Sequence, residues 1–253
     1  HKLLMLHADK VITTHPYDSV INPFYGDVDL RPLISGLLNY KLYWLQHGVT
    51  KDNISSWMYK YEKDLSLIVT VSDMESESFL EEGYGYDKSI IQNLGFPRFD
   101  NLEKNDQKQI LIIPTWRKYL KDDKQAFLES EYFANLSSLL NNPNLIKDDY
   151  RVEFKPHPEL IKNIGESDER FIDLFDIPDN VYLAIDESYQ DLLNNSSVLI
   201  TDYSSVFFDF AYLKKPVIYY HPNDDYHYEK SYFDYGTMGF GDIVKTENDL
   251  VAK

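Results

Sequence analysis

Four short stretches carry side chains whose types and spacing suit chemistry on phosphate. In "YWLQHGVTKDN" (43–53) an apolar run meets His47 and then Gly48, a residue that permits close backbone approach or positive φ. In "IIPTWRKYL" (112–120) an apolar run ends in Pro114-Thr115-Trp116-Arg117. A guanidinium fork binds diphosphate bidentately, although a lone arginine after a strand is usually a surface residue. In "EFKPHPEL" (153–160) two prolines fix the backbone around His157, with Lys155 two residues earlier. Histidine titrates nearest neutral pH, so a fixed histidine suits proton transfer or charge stabilisation. The plainer alternative for His47 and His157 is a bystander in a strand-end turn. In "SVLITDYSSVFFDFAYLKKPVIYY" (197–220) an apolar run ends at Thr201-Asp202-Tyr203-Ser204-Ser205 before a helical pattern begins. A helix start at a strand end gathers backbone N–H groups and the positive dipole end into an anion site. The alternative is that Ser204 or Ser205 is an ordinary N-cap. Asp202 would repel a pyrophosphate and is expected to hold the turn or orient a neighbour.

The elements that must position these groups alternate. Strand-like runs occur at 10–14, 43–46, 67–72, 90–95, 109–115, 151–157, 180–185, 197–202 and 216–220. Helical patterns occur at 72–84, 130–142, 188–196 and 204–215, the last ending in lysines that complement its dipole. Several of the runs are continuous Val/Ile/Leu, as expected of parallel strands covered on both faces. The alternation predicts βαβ units and an α/β fold with two Rossmann-like lobes. All four chemical stretches lie at the C-terminal ends of predicted strands, the edge where open α/β sheets bind ligands. Two lobes facing each other across a cleft would bring His47 opposite Arg117, His157 and Ser204. The polar segment "FDNLEKNDQKQ" (99–109) reads as a linker, giving lobes 1–104 and 105–253. The chain opens with His inside an apolar pattern, so the first lobe is expected to be incomplete. The remaining candidates carry less. His15, His221 and His227 fall in Pro- or Tyr-rich loops, Asp224-Asp225 reads as a turn pair rather than a metal cluster, and "GTMGFGDI" (236–243) reads as a mobile loop.

Composition narrows the partners. The chain has 25 basic and 42 acidic residues, a net charge of −17. That field disfavours nucleic acid and anionic membrane as general partners. It contains no cysteine, which excludes disulfides and thiolate metal sites. No apolar run approaches the roughly 18 residues that a membrane span needs. No metal or other cofactor is indicated.

Together "LQHGVTK", "PTWR", "FKPHP", "LITDYSSVFFDFAYLKKPVIYY" and "SYFDYG" resemble the CDP-glycerol glycerophosphotransferase family of teichoic-acid and capsule-polymer enzymes, over about residues 9–244. The resemblance implies a GT-B architecture. It also implies transfer of a polyol phosphate from a CDP-linked donor to a hydroxyl of a lipid-linked or polymer acceptor, with release of CMP. Glycerol phosphate is the expected group, ribitol phosphate the alternative. The implied location is the cytoplasmic face of the bacterial membrane, any membrane contact being made by segments outside this chain. By position, the resemblance puts the catalytic histidines at His47 and His157, the phosphate-binding segment at Asp202, Ser204 and Ser205, and donor contacts at Thr115 and Arg117. Lys155 and Thr201 complete the candidate donor-binding set, and the first lobe takes the acceptor side. The chain departs from the family pattern at Ser196-Ser197, where Ser-Asp is common, and at Ser231-Tyr232-Phe233, where Gly-Phe-Tyr is common. Two rivals stand beside this reading: a GT-B glycosyltransferase using a nucleotide sugar, and a non-catalytic binding lobe of a larger polymerase.

Overall fold

A computed structural model describes residues 4, 7–21, 39–120, 123–145, 149–164, 171, 173–223 and 226–253. The chain divides into two compact units, 1–100 with 228–233, and 101–227 with 234–253.

The first unit is built on four parallel strands in the order β1-β2-β3-β4. These are β1 (Lys10–Thr13), β2 (Lys41–Trp44), β3 (Leu65–Thr70) and β4 (Ile91–Asn93). Its core gathers Leu42, Trp44, Met58, Ile68, Phe79 and Tyr84. Helix α1 (Asp73–Ser78) follows β3 and begins at an N-cap, where Ser72 Oγ accepts the Glu75 N–H at 3.1 Å. The segment 228–233 joins this unit through backbone pairing of Lys230 with Asp52 and a 2.8 Å bond from Asn53 N–H to the Glu229 carbonyl.

The second unit has six parallel strands: β5 (Gln107–Ile113), β6 (Arg151–Phe154), β7 (Val181–Leu183), β8 (Ser196–Thr201), β9 (Val217–Tyr220) and β10 (Gly241–Val244). Their order is β10-β9-β8-β5-β6-β7. Counted from β5, that is the doubly wound order 3-2-1-4-5-6, which reverses direction between β5 and β8. Ligands collect at such a reversal because the helices on either side of it leave opposite faces of the sheet. Helix α2 (Glu131–Leu140) shows how the sheet is covered. It buries Tyr132, Leu136, Leu139 and Leu140, an i, i+4, i+7, i+8 stripe, and Ser130 caps its start. With Phe127, Phe154, Phe171 and Phe175 these form the main core, each fully buried ring contributing about 1.5–3 kcal/mol. Further helices are α3 (Pro158–Ile164), α4 (Tyr189–Asn195), α5 (Phe207–Tyr212), α6 (Tyr235–Met238) and α7 (Glu247–Val251).

All nine expected strands are present, with ends moved by up to three residues. The tenth corrects the sequence reading. Residues 236–243 are not a mobile loop but the end of α6 followed by edge strand β10. Two of their glycines serve close backbone approach. A Cβ on Gly241 would lie 1.7 Å from the Val217 carbonyl oxygen, and one on Gly239 would lie 2.3 Å from that of Tyr235. A second correction concerns the lysines after α5. Lys215 caps α4 instead, its Nζ donating to the carbonyls of Leu193, Asn194 and Ser196 at 2.6–2.9 Å. Asp224-Asp225 lies outside the described residues. Among the described residues no helix is long and apolar enough to cross a membrane, and no three His, Asp or Glu side chains cluster as metal ligands.

Candidate active site

At the β5/β8 reversal one carboxylate organises both strand ends. Asp202 Oδ1 accepts the N–H groups of Thr115 at 2.8 Å and Tyr203 at 2.6 Å. Its Oδ2 pairs with Arg117 Nη1 at 2.9 Å, and Arg117 also donates to the Thr115 carbonyl at 2.7 Å. Both partners are buried, at 4% and 6% exposure. The guanidinium lies 4.6 Å from the Tyr132 ring centre and 5.2 Å from that of Tyr226. Thr201 Oγ1 donates to the Ile113 carbonyl at 2.6 Å, tying β8 to β5. Thus Thr201, Asp202, Arg117 and the Thr115 backbone hold one another. The adjoining cavity, of about 40 Å³, is lined by Pro114, Arg117, Tyr132, Leu136 and Asp202. It has room for a few waters. The Thr115 hydroxyl is buried, with no hydrogen-bond partner among the described residues.

His221 belongs to this assembly, although its loop-like sequence context gave no sign of it. It is buried, its ring stacks on Tyr203 at 4.3 Å, and its Nε2 lies 3.1 Å from the Asp202 carbonyl. Ser204 and Ser205 occupy the half-buried turn that follows. They are not helix N-caps. Helix α5 begins at Phe207 with Val206 in the cap position and no side-chain cap, and Ser204 Oγ reaches the Val206 N–H only at 3.4 Å. With Val206 and Phe207 buried, the helix starts one or two residues later than the hydroxyls suggest.

On the neighbouring strand end, Lys155 is buried and holds the loop after β7. Its Nζ donates to the carbonyls of Ile185 at 2.6 Å and Glu187 at 2.9 Å. Burial lowers its pKa, against the pull of Glu187 and Asp186. His157 follows at the start of α3, where Pro158 takes the first helical position. Its Nδ1 accepts the Glu159 N–H at 3.2 Å, and its ring lies 6.1 Å from Trp116. A backbone N–H can only donate, so Nδ1 carries a lone pair and the proton of the neutral ring sits on Nε2. Burial lowers the His157 pKa, with Glu159 opposing, so the neutral ring is the form at pH 7.

In the first unit His47 has the opposite arrangement. Its Nδ1 lies 3.2 Å from the Thr14 carbonyl. A carbonyl can only accept, so Nδ1 carries the proton and Nε2 keeps the lone pair. The His15 ring stacks on it at 4.6 Å, and Tyr17 stands at 6.2 Å. His15 is thus a neighbour that the sequence reading set aside. The ring keeps solvent on one side, but the surrounding segments desolvate it and lower its pKa. The charges of His15 and Arg98 add to the lowering, while the Thr14 carbonyl opposes it. The Arg98 guanidinium donates to the His47 carbonyl. Gln46, just before it, has a left-handed backbone with φ of 60°.

The family model for CDP-glycerol:poly(glycerophosphate) glycerophosphotransferases matches residues 45–253. The chain belongs to this family. Minor teichoic acid biosynthesis protein GgaB of Bacillus subtilis is 41% identical over the whole chain, which covers 29% of that protein. A teichoic acid poly(glycerol phosphate) polymerase of Bacillus spizizenii is 25% identical over 81% of this chain and 54% of its own. A teichoic acid poly(ribitol-phosphate) polymerase of the same species is 30% identical over 73% and 31%. The chain therefore spans between 29% and 54% of these relatives. A variant of the wall teichoic acid polymerase TagF superposes with a TM-score of 0.64 at 21% identity, covering 97% of this chain and 63% of that one. A UDP-GlcNAc 2-epimerase of Methanocaldococcus jannaschii gives 0.56 at 15% identity, covering 99% and 69%. These likenesses identify the fold class as α/β and GT-B-like.

Proposed function

We propose that the chain transfers a polyol phosphate, glycerol phosphate first, from a CDP-linked donor to a hydroxyl of a lipid-linked or polymer acceptor in teichoic-acid synthesis. The observation that carries the reading is the pair of opposed histidine tautomers. His47, with a lone pair on Nε2, is suited to accept a proton. His157, with its proton on Nε2, is suited to donate a hydrogen bond to phosphate.

His47 removes the proton of the acceptor hydroxyl. That oxygen attacks the phosphorus bearing the polyol, and the bond from this phosphorus to the bridging oxygen breaks. CMP leaves with the bridging oxygen, and the His47 proton passes to solvent. His157 Nε2–H and the hydroxyls of Ser204 and Ser205 stabilise the phosphate charge. Arg117, Asp202, Thr201 and Lys155 act from beneath, fixing the strand ends that present these donors. Ribitol phosphate is the second donor candidate, since the relatives include polymerases named for either polyol. The reaction is assigned to the cytoplasmic face of the membrane, with peripheral attachment. The test incubates the chain with CDP-glycerol, CDP-ribitol or a UDP-sugar, reading the rise in Tm with the donor alone and CMP release once a lipid-linked or polymer acceptor with a free hydroxyl is added. Protection by a CDP-polyol with CMP release is expected. Protection by the UDP-sugar alone overturns the reading.

A further inference from the structure

Under the His47 loop lies a carboxylate that the reaction above does not use. Glu75, in the first turn of α1, is completely buried. Its Oε1 accepts the Thr50 N–H at 2.7 Å and Gln46 Nε2 at 3.1 Å, and its Oε2 accepts the Val71 N–H at 2.8 Å. Gln46 is itself locked. Its amide donates to the Val69 carbonyl at 2.6 Å, and its Oε1 accepts the Thr50 hydroxyl at 2.5 Å. One side chain therefore ties both ends of Gln46-His47-Gly48-Val49-Thr50 to the end of β3. Gln46 needs this support because a left-handed backbone is strained for a residue with a Cβ. Ser72 caps the helix, but the Glu75 carboxylate passes by the Ser72 N–H and serves the loop.

We propose that Glu75 is the positioning residue of His47: by bonding Gln46 and Thr50 it sets the loop backbone that lays the His47 ring on Thr14 and His15. The proposal rests on the reading of His47 as the base. The loop is also coupled to Glu75 ionisation. Burial raises the Glu75 pKa to about 7, against the lowering by its bonds from Val71, Thr50 and Gln46. The charged and titratable groups on the elements packed here are His47 in the loop, the Lys51–Asp52 pair at 2.7 Å in the loop's continuation, Asp73 and Glu77 on α1, and Tyr232 of the 228–233 segment, which feels the Glu75 charge. The Tyr232 hydroxyl is pushed up by burial and then by the charges of Glu75 and Asp52.

The test uses the isotopically labelled 253-residue chain and its Glu75→Gln variant, followed by NMR against pH and by CMP release from CDP-glycerol in the presence of a lipid-linked or polymer acceptor. In the parent chain the Thr50 and Val71 amide signals should titrate together near pH 7, the value raised by burial. In E75Q that titration should vanish and the His47 ring signals should move. The variant's kcat should fall by roughly 10- to 100-fold with KM little changed, the response expected of a displaced catalytic group. An E75Q variant with parental His47 signals overturns the proposal. So do Thr50 and Val71 amides that fail to titrate together in the parent chain, a measurement that decides the matter even if E75Q does not fold. If the parent chain released no CMP, the functional reading would fail, while the His47 signals in E75Q would still decide the positioning claim.

Discussion

His47 and His157 stand at the ends of parallel strands in two different units, yet the backbone treats their rings oppositely. A carbonyl faces Nδ1 of His47, and an N–H faces Nδ1 of His157. The residue types are identical, so the difference lies in the local backbone. Gln46 in a left-handed conformation turns the first ring back on the carbonyl of Thr14. Pro158, opening a helix, turns the Glu159 N–H onto the second. A single side-chain type thus presents a hydrogen-bond acceptor at Nε2 in one unit and a hydrogen-bond donor at Nε2 in the other.

The largest effect should come from the acceptor. His47→Ala should lower turnover by about 10²–10⁴-fold while protection by CDP-glycerol against thermal unfolding persists. Loss of protection with turnover intact would reverse the assignment. The next largest effect is on stability. Arg117→Ala and Asp202→Ala should each cost about 3–5 kcal/mol in urea unfolding, because each leaves the other charge buried alone. The double variant should cost much less than the sum, since the two act as one unit. Single losses below about 1 kcal/mol would mean that other groups hold the strand ends. His157→Ala should reduce turnover by about 10²–10³-fold, the usual effect of losing one donor to developing negative charge, and should weaken donor binding, unlike His47→Ala.

The two rings should also part company with pH. Protonation abolishes the lone pair of His47 but leaves Nε2–H of His157 in place. The acid limb of kcat/KM should therefore follow His47, with a midpoint below its ordinary value of 6.5, and should survive in the residual activity of His157→Ala. Stability should move the same way. Both histidines have lowered pKa values in the folded chain, so their contribution falls as pH drops below 6.5. Glu75 acts in the opposite sense. Its raised pKa makes its contribution decline as pH rises from 4.5 to about 7. The smallest effect concerns Ser204 and Ser205. Since neither caps α5, replacing either by Ala should change stability by no more than about 0.5 kcal/mol, while reducing protection by the donor. A loss of 1 kcal/mol or more, as for a true cap, would contradict the geometry.

Much of the fold was legible because parallel strands buried on both faces read as continuous apolar runs. Strand β10 escaped because Gly239 and Gly241 resemble a loop, and only the nearness of Tyr235 and Val217 explains them. The histidines and the Asp202 turn were legible from their place after apolar runs. Other groups were not, because their roles depend on partners distant in sequence. Glu75 reaches residues 46 and 50. His221 reaches Asp202 and Tyr203, and Lys215 reaches the end of the preceding helix rather than its own. Arg117 and Lys155 were legible as cations after predicted strands, but their burial and their commitment to Asp202 and to the 185–187 carbonyls are set by tertiary packing.

The assignment of base and donor turns on which ring nitrogen carries the proton. Long-range ¹H–¹⁵N correlation spectra of histidine-labelled protein at pH 7.5, with His47→Gln and His157→Gln for assignment, read this directly. Nδ1–H on His47 and Nε2–H on His157 is the predicted result. The same tautomer on both rings would contradict it.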